Sequence, residues 1–231
     1  MDQSYEYGAT AHTELLDLIR KPPTLVLDVG CGLAANGKAI KERFPSCRVM
    51  GVEPVHTMAV RAAEQLDHVF RCRFEEIDLA SAGLQPGEID LVIFSDVLEH
   101  TYHPWKVLQQ TAGMIARDGV VIASIPNTRH LKIVDQLIRG EWNYERHGIM
   151  DISHIRFFTR SGIEKLFVET GYHIDELTAR IDPNLQQLLE QIQNADRINL
   201  EHFELKKLKR QDIIELLTLQ FLVRAFPNKT I

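Results

Sequence analysis

Short runs of aliphatic and β-branched residues alternate along this chain with stretches of helical periodicity. The clearest runs are 24–29, 48–52, 89–94 and 119–125. Continuous apolar runs of this kind are typical of strands buried on both faces, and their alternation with helices is typical of a largely parallel sheet. The pattern therefore predicts an α/β fold with a doubly wound, mostly parallel seven-stranded sheet.

The predicted elements account for a single domain over residues 1–231. The strands are expected at 24–29, 48–52, 69–73, 89–94, 119–125, 172–180 and 219–226. Between them we expect helices at 10–20, 36–44, 56–66, 104–116, 131–139 and 159–170. Three segments stand apart: an N-terminal helical flap (1–23), a substrate-side lid (127–158) and a helical insertion before the last strand (182–217). The insertion is expected to contain two helices, the second from about Leu200 to Leu217.

Charge and cysteine content exclude several classes of protein. The net charge of −6 argues against non-specific nucleic-acid binding. The cysteines, Cys31, Cys47 and Cys72, follow no disulfide or zinc spacing. No basic-then-apolar leader opens the sequence, and no apolar run approaches the ~20 residues that span a bilayer. We expect a cytoplasmic protein that acts on a small molecule, without nucleic-acid or membrane partners.

A glycine-rich turn follows the first predicted strand. Gly30 and Gly32 flank Cys31 between this strand and the next helix, where glycine lets the backbone turn tightly and approach a ligand. Glu53 closes the second strand, 23 residues after Gly30. An acid in that place can accept hydrogen bonds from both ribose hydroxyls. The two features together predict a cofactor that contains adenosine.

Two cofactors compete for this turn. A dinucleotide fingerprint asks for a third glycine where this chain has Ala35, although alanine is tolerated there in some proteins. Asp28 precedes the glycines inside the strand, and a carboxylate there suits a cofactor with an ammonium group and no pyrophosphate. S-adenosylmethionine (AdoMet) has such a group. An NAD-linked oxidoreductase remains the alternative, weakened because a chain of this length has no room for a separate catalytic domain.

Four motifs resemble the class I AdoMet-dependent methyltransferases, in order and in spacing. They are VLDVGCG (26–32), GVEP (51–54), IDLVIFSDVLEH (89–100) and VIASIPN (121–127). The resemblance implies a Rossmann-like methyltransferase fold. The chain departs from the family pattern at Arg73, where an acid usually reads the adenine, and at Ala34, where glycine is common. The implied cofactor site consists of Asp28, Gly30, Cys31, Gly32, Glu53, Pro54, Phe74, Ser95 and Asp96.

Four further segments resemble a bacterial subgroup associated with surface-polysaccharide and glycan biosynthesis. They are HPWKVL (103–108), SIPNTRH (124–130), IRGEWNYERHGIMD (138–151) and SHIRFFTRSGIEKLF (153–167). This resemblance implies methylation of a hydroxyl or amine on a small, sugar-like or glycan-precursor acceptor. Trp142 and Tyr144 beside a polar cluster favour the same class, because aromatic rings stack on the apolar faces of sugars.

Two histidines are candidate catalytic residues. His100 follows the fourth strand, at the edge where ligands bind in open parallel sheets, and histidine is the natural base near neutral pH. His154 lies in a second polar cluster with His147, Asp151, Arg156 and Phe157.

Two alternatives to this function stay open. Glu99, His100 and His154 resemble the ligands of metal-dependent methyltransferases of RNA 3′ ends or quinone precursors, which implies Mg²⁺ or Mn²⁺. The chain could also be a non-catalytic AdoMet-binding regulator.

Overall fold

The central sheet of the computed structural model, which describes residues 10–192, 196–201 and 203–228, has seven strands in the order β3-β2-β1-β4-β5-β9-β6. Strands β1 to β5 run parallel, and β9 runs antiparallel to both β5 and β6. The predicted doubly wound, mostly parallel sheet is therefore confirmed. The strands are β1 Leu25–Val29, β2 Arg48–Val52, β3 His68–Phe70, β4 Ile89–Ser95, β5 Ile115–Pro126, β6 Tyr172–Ile181 and β9 Thr218–Pro227, and a separate hairpin contains β7 Arg197–Asn199 and β8 Glu204–Lys206.

Eight helices accompany these strands in the described part of the chain. In those residues no helix combines the length and the apolar character needed to cross a membrane. The helices are α1 Thr13–Leu16, α2 Ala35–Arg43, α3 His56–Ala62, α4 Pro104–Met114, α5 Leu131–Ile138, α6 Arg160–Glu169, α7 Gln186–Gln191 and α8 Arg210–Leu217.

The core lies on both faces of the sheet. In β1, Leu27 and Val29 pack into one apolar cluster and Val26 into another, as the alternation of side chains along a strand requires. Residues of α4 and α6 complete the first cluster, and residues of α1, α2 and α3 complete the second. Burial of β1 on both faces explains why its sequence is continuously apolar except at Asp28.

The segment before the last strand differs from the prediction in its second half. We expected a helix from Leu200 to Leu217, but α8 begins only at Arg210, and β8 pairs with β7 in front of it. The hairpin buries Ile198 against Ile213 and Leu217 of α8. The insertion is therefore a mixed unit, with two helices and a hairpin around a small apolar cluster of its own.

The amino-terminal segment and α4 also differ in detail from the expected helices. Residues 1–9 of the predicted flap lie outside the described residues. The expected helix 10–20 is reduced to α1, and Leu15 within it and Leu18 after it are buried in the core. The helix expected at 104–116 ends at Met114; its buried face carries Val107 and Leu108, whereas Trp105 is 39% exposed.

Candidate active site

A cavity of about 700 Å³ opens at the carboxyl edge of the parallel strands. This is the edge at which ligands bind in open α/β sheets. The loops that follow β1, β2 and β4 form much of its wall, and segment 147–154 contributes further residues. The predicted site residues on its wall are Gly30, Cys31, Gly32, Glu53, Pro54, Phe74, Ser95, Asp96, Glu99, His100 and His154.

The glycine turn holds Glu53 in a fixed orientation. Gly30 and Gly32 both adopt positive φ angles, 66° and 54°, which favour glycine. The amide of Gly32 donates to Oε2 of Glu53 at 2.9 Å, and the amide of Val55 donates to Oε1 at 2.8 Å. The buried carboxylate is thus pinned at the cavity wall with further acceptor capacity on both oxygens. This arrangement suits a pair of ribose hydroxyls.

Phe74 forms an apolar wall next to this acid. Its ring is 5% exposed and meets Phe94 edge to face, with 5.8 Å between the ring centroids. Val55 and Met58 also line the cavity, as do Arg73 and Glu75 on either side of Phe74. A flat base fits such a wall. Position 73 is arginine in this chain, where related proteins usually have an acid, so other groups would have to bind the polar atoms of the base.

Asp28 is not among the residues that line the cavity, so the predicted direct contact with the cofactor is not supported. The residue is 1% exposed, and neither carboxylate oxygen has a hydrogen-bond partner within the usual distance and angle limits. Burial raises the pKa of Asp28 to about 7; the nearby Gly37 amide opposes the shift and the charge of Glu53 adds to it. The side chain is directed toward α2, because Gly37 belongs to that helix.

Asp96 occupies a strained position directly after β4. Its φ angle is 54°, in the region that favours glycine. Its Oδ1 accepts from Ser124 Oγ at 3.0 Å and from Gln220 Nε2 at 2.6 Å. These bonds hold the carboxylate on the cavity wall. Burial raises the pKa of Asp96, and the neighbouring His12, Ser124, His154 and Arg180 partly offset that effect.

The structure brings His100 and His154 together, although 54 positions separate them in the chain. Their ring centroids are 4.8 Å apart. His100 Nδ1 lies 3.2 Å from the carbonyl of Ser153, and His154 Nδ1 lies 2.9 Å from that of Ile149. A carbonyl can only accept, so each Nδ1 carries a proton, and in the neutral imidazole the lone pair is then on Nε2. Burial, followed by the nearby His154, lowers the pKa of His100.

Glu99 lies beside the two imidazoles. It is 1% exposed, and both of its carboxylate oxygens lack a hydrogen bond. Burial, with the charges of Asp96 and Asp151, raises the pKa of Glu99 well above its usual range. One ligand atom each from Glu99, His100 and His154 lies within 4.8 Å of the others. Two imidazoles and a carboxylate are a donor set for a divalent transition-metal ion, and the backbone bonds of the imidazoles are the usual support of such ligands.

Sequence reasoning missed one part of the cavity wall and assigned other residues to it that lie elsewhere. No local motif marks the missed residues: Arg180 and Gln220 become neighbours through the pairing of β9 with β6, whereas His12 lies at the start of α1 and Asn36 in α2. Trp142 and Tyr144 do not line the cavity; Trp142 packs edge to face on Phe157 instead. Arg156, expected in the polar cluster, donates to the carbonyl of Tyr102. The missed wall residues are His12, Asn36, Arg180 and Gln220.

Comparison with known families and proteins finds methyltransferases as relatives of this chain. Residues 3–177 match the family model described as "Methyltransferase domain". A malonyl-[acyl-carrier protein] O-methyltransferase of Geobacter sulfurreducens is 24% identical over 67% of this chain and 58% of its own length. A ubiquinone biosynthesis O-methyltransferase of Cupriavidus pinatubonensis is 30% identical over 60% of this chain. The chain thus spans a little under three fifths of either relative, 58% and 59%.

Solved structures show the same fold. An S-adenosylmethionine-dependent methyltransferase from Listeria monocytogenes, described as putative, aligns over 94% of this chain and 96% of its own, with 15% identity and a TM-score of 0.59. The 1,6-didemethyltoxoflavin-N1-methyltransferase of Burkholderia thailandensis, solved with S-adenosylhomocysteine, aligns over 94% and 76%, with 14% identity and a TM-score of 0.56. The glycine turn and the pinned Glu53 fit the cofactor of these proteins. The chain therefore belongs to the methyltransferase domain family.

Proposed function

We propose that this chain uses AdoMet to transfer a methyl group to a hydroxyl of a small acceptor, with His100 and His154 as the catalytic residues. One observation carries the proposal. Two imidazoles, each with its Nδ1 bonded to a backbone carbonyl, lie together on the wall of the same cavity that contains Glu53. The relatives named above as O-methyltransferases agree with an oxygen acceptor.

The cofactor, when bound, supplies an electrophilic methyl group on a sulfonium. Gly30, Gly32 and Glu53 would hold it, and the acceptor would lie on the side of His100. When the acceptor oxygen receives the methyl group, Nε2 of His100 would take the hydroxyl proton of the acceptor. His100 can do so at neutral pH, because burial keeps its imidazole unprotonated. His154 then orients the acceptor beside it.

A second candidate function is metal-dependent O-methylation. The observation in its favour is the buried carboxylate of Glu99, which has no hydrogen-bond partner beside two imidazoles that are oriented as ligands. An unpaired buried carboxylate is costly, and a cation among the three residues would offset that cost. In that case Glu99, His100 and His154 would hold the ion, which would supply a Lewis acid to lower the pKa of the acceptor hydroxyl.

One experiment separates the two mechanisms. With His100 as the base, His100→Ala should lower turnover about 10²–10⁴-fold. EDTA should then have no effect, and His154→Ala should mainly raise the acceptor KM. With a metal site, EDTA should abolish activity, Mn²⁺ or Mg²⁺ should restore it, and both variants should fail alike. Arg197→Ala, in the exposed hairpin, is the matched control. Full activity of both histidine variants with EDTA inert would exclude both mechanisms. Binding of AdoMet by the wild type without turnover of any acceptor would instead favour a non-catalytic AdoMet-binding regulator.

For the acceptor, we propose a sugar-like or glycan-precursor polyol. The support is the sequence resemblance in segments 103–108 and 138–167, together with the polar groups and the exposed ring of Tyr102 at the cavity. The names of the two relatives above point to other acceptors, a malonyl thioester and a quinone precursor. Assays with tritiated AdoMet should therefore test nucleotide-sugars, catechols and carboxylic acids in parallel. Turnover confined to the last two classes would refute the sugar-like acceptor.

A further inference from the structure

A polar network on the cavity wall has no part in the chemistry described above. We call it the Gln220 network; it comprises His12, Asp96, Arg180 and Gln220, and all four residues line the cavity. Gln220 is its centre. Its Nε2 donates to Asp96 Oδ1 at 2.6 Å, and its Oε1 accepts from Arg180 Nη1 at 2.8 Å and lies 3.4 Å from His12 Nε2.

The direction of β9 creates this network. Because β9 runs antiparallel to its neighbours, its first residues lie at the edge where β4 and β5 end. There Gln220 pairs with Pro126 of β5 on one side and with Arg180 of β6 on the other. The side-chain amide of Gln220 has a fixed orientation here, since its nitrogen faces the carboxylate of Asp96 and its oxygen faces the guanidinium of Arg180.

The network also adjoins the glycine turn. The amide of His12 donates to Asn36 Oδ1 at 2.8 Å, and Asn36 lies in the first turn of α2, directly after that turn. The Nε of Arg180 pairs with Glu14, at 2.6 Å, and one N–H of Nη1 donates to Gln220. A guanidinium has five N–H donors, so the Nη2 side of Arg180 keeps donors for a ligand in the cavity.

The network therefore offers a carboxylate and a guanidinium, separated by one amide, on the wall next to the glycine turn. The complementary ligand is a zwitterion with an ammonium and a carboxylate on the same carbon atom, as in an α-amino acid. An ion of one sign alone would leave the other side of the network unmatched. The amino-acid part of AdoMet is such a zwitterion.

We propose that Arg180 binds the α-carboxylate of the cofactor and that Asp96, oriented by Gln220, receives its ammonium. This inference rests on the proposed use of AdoMet in this cavity and adds the residues that distinguish the amino-acid part from the adenosine part. Arg180 is a binding residue in this role, and it takes no part in proton transfer.

Two ligands that share the adenosine part test the assignment. S-adenosylhomocysteine has the amino-acid end, and 5′-methylthioadenosine lacks it. In titration calorimetry, Arg180→Ala should raise the Kd of S-adenosylhomocysteine about 10- to 100-fold, the usual effect of losing a hydrogen bond to a charged group. The Kd of 5′-methylthioadenosine should change less than about twofold. Arg180→Lys, which keeps the charge, should lose less than Arg180→Ala.

Glu14→Gln is the matched control. It removes the ion pair with Arg180 while leaving the guanidinium in place, so it should keep the affinity for S-adenosylhomocysteine. Equal losses in Glu14→Gln and Arg180→Ala would overturn the proposal, because they would mean that the ion pair only positions α1. Equal losses for the two ligands in Arg180→Ala would also overturn it. A wild-type protein that binds neither ligand would refute the proposed cofactor site itself, and this inference with it.

Discussion

At the scale of single residues, the buried carboxyl groups in and beside the site differ in whether they are hydrogen-bonded. Glu53 accepts two backbone hydrogen bonds, from Gly32 and Val55, and is held ready for a neutral hydroxyl ligand. Asp28 and Glu99 have no such partners, and burial raises the pKa of each. The sequence could place an acid at each of these positions, but it could not show which acid would be paired. That difference depends on the direction of nearby amides.

Asp28 should make the stability of the protein depend on pH. Its pKa in the folded protein is about 7, against 3.8 ordinarily, so folding favours the protonated form. The stability that protonated Asp28 gives to the folded protein is fully present below about pH 4 and is lost as the pH rises through about 7. The loss in free energy of unfolding is on the order of 4 kcal/mol. Asp28→Asn should therefore lose less free energy of unfolding than wild type between pH 5 and pH 8.

Urea denaturation of both proteins at several pH values measures this difference. Glu99 titrates in both proteins, so its effect cancels in the comparison. Wild type and Asp28→Asn with parallel stability curves would show that Asp28 is ionised in the folded protein at neutral pH, contrary to the prediction.

At the scale of elements, the contact between β2 and the glycine turn leaves no space for a methyl group. A Cβ on Gly51 would lie 2.6 Å from Cys31 Sγ and 2.7 Å from Leu66 Cδ1. Gly51→Ala should therefore cost about 1–3 kcal/mol in free energy of unfolding. It should also weaken binding of S-adenosylhomocysteine, because Cys31 belongs to the turn.

Gly113→Ala provides the comparison for this substitution. Gly113 is exposed in α4, with nothing within 4 Å of an added Cβ, so alanine there should stabilise by about 0.5–1 kcal/mol. Urea denaturation distinguishes the two variants. A neutral Gly51→Ala variant with unchanged ligand affinity would mean that β2 and the turn separate more easily than their packing indicates.

Elements with continuous apolar runs were the ones that the sequence could predict. The predicted bounds of β2 match those of the structure, and the α4 helix begins at Pro104 as expected. The hairpin of β7 and β8 was missed because each strand has three residues and a single buried side chain, Ile198, on which no periodicity can be recognised. The Gln220 network was missed because the direction of β9 brings Gln220 to Asp96 and Arg180. Strand direction leaves no local pattern in the sequence.

At the scale of the whole molecule, the cofactor should couple to global stability. A ligand that binds only the folded protein stabilises it by about 2.7 kcal/mol at a concentration 100 times its Kd. For a chain of this size we expect S-adenosylhomocysteine to raise the Tm by roughly 5–10 °C under those conditions. NAD should cause no shift, because the chain belongs to the methyltransferase domain family. A thermal shift with NAD alone would contradict the assignment of the cofactor.

The position of β9 between β5 and β6 has a consequence for how the protein is made. During synthesis on the ribosome, β6 emerges before β9, yet it has no partner in the sheet until β9 is available. A nascent chain that ends before Thr218 can assemble only β1 to β5, with one edge of the sheet unpaired. Gln220 is also still absent at that stage, so Asp96 and Arg180 are not yet linked. With Asp96 and Arg180 as the proposed ligands of the cofactor, capture of the cofactor is delayed until β9 has been translated.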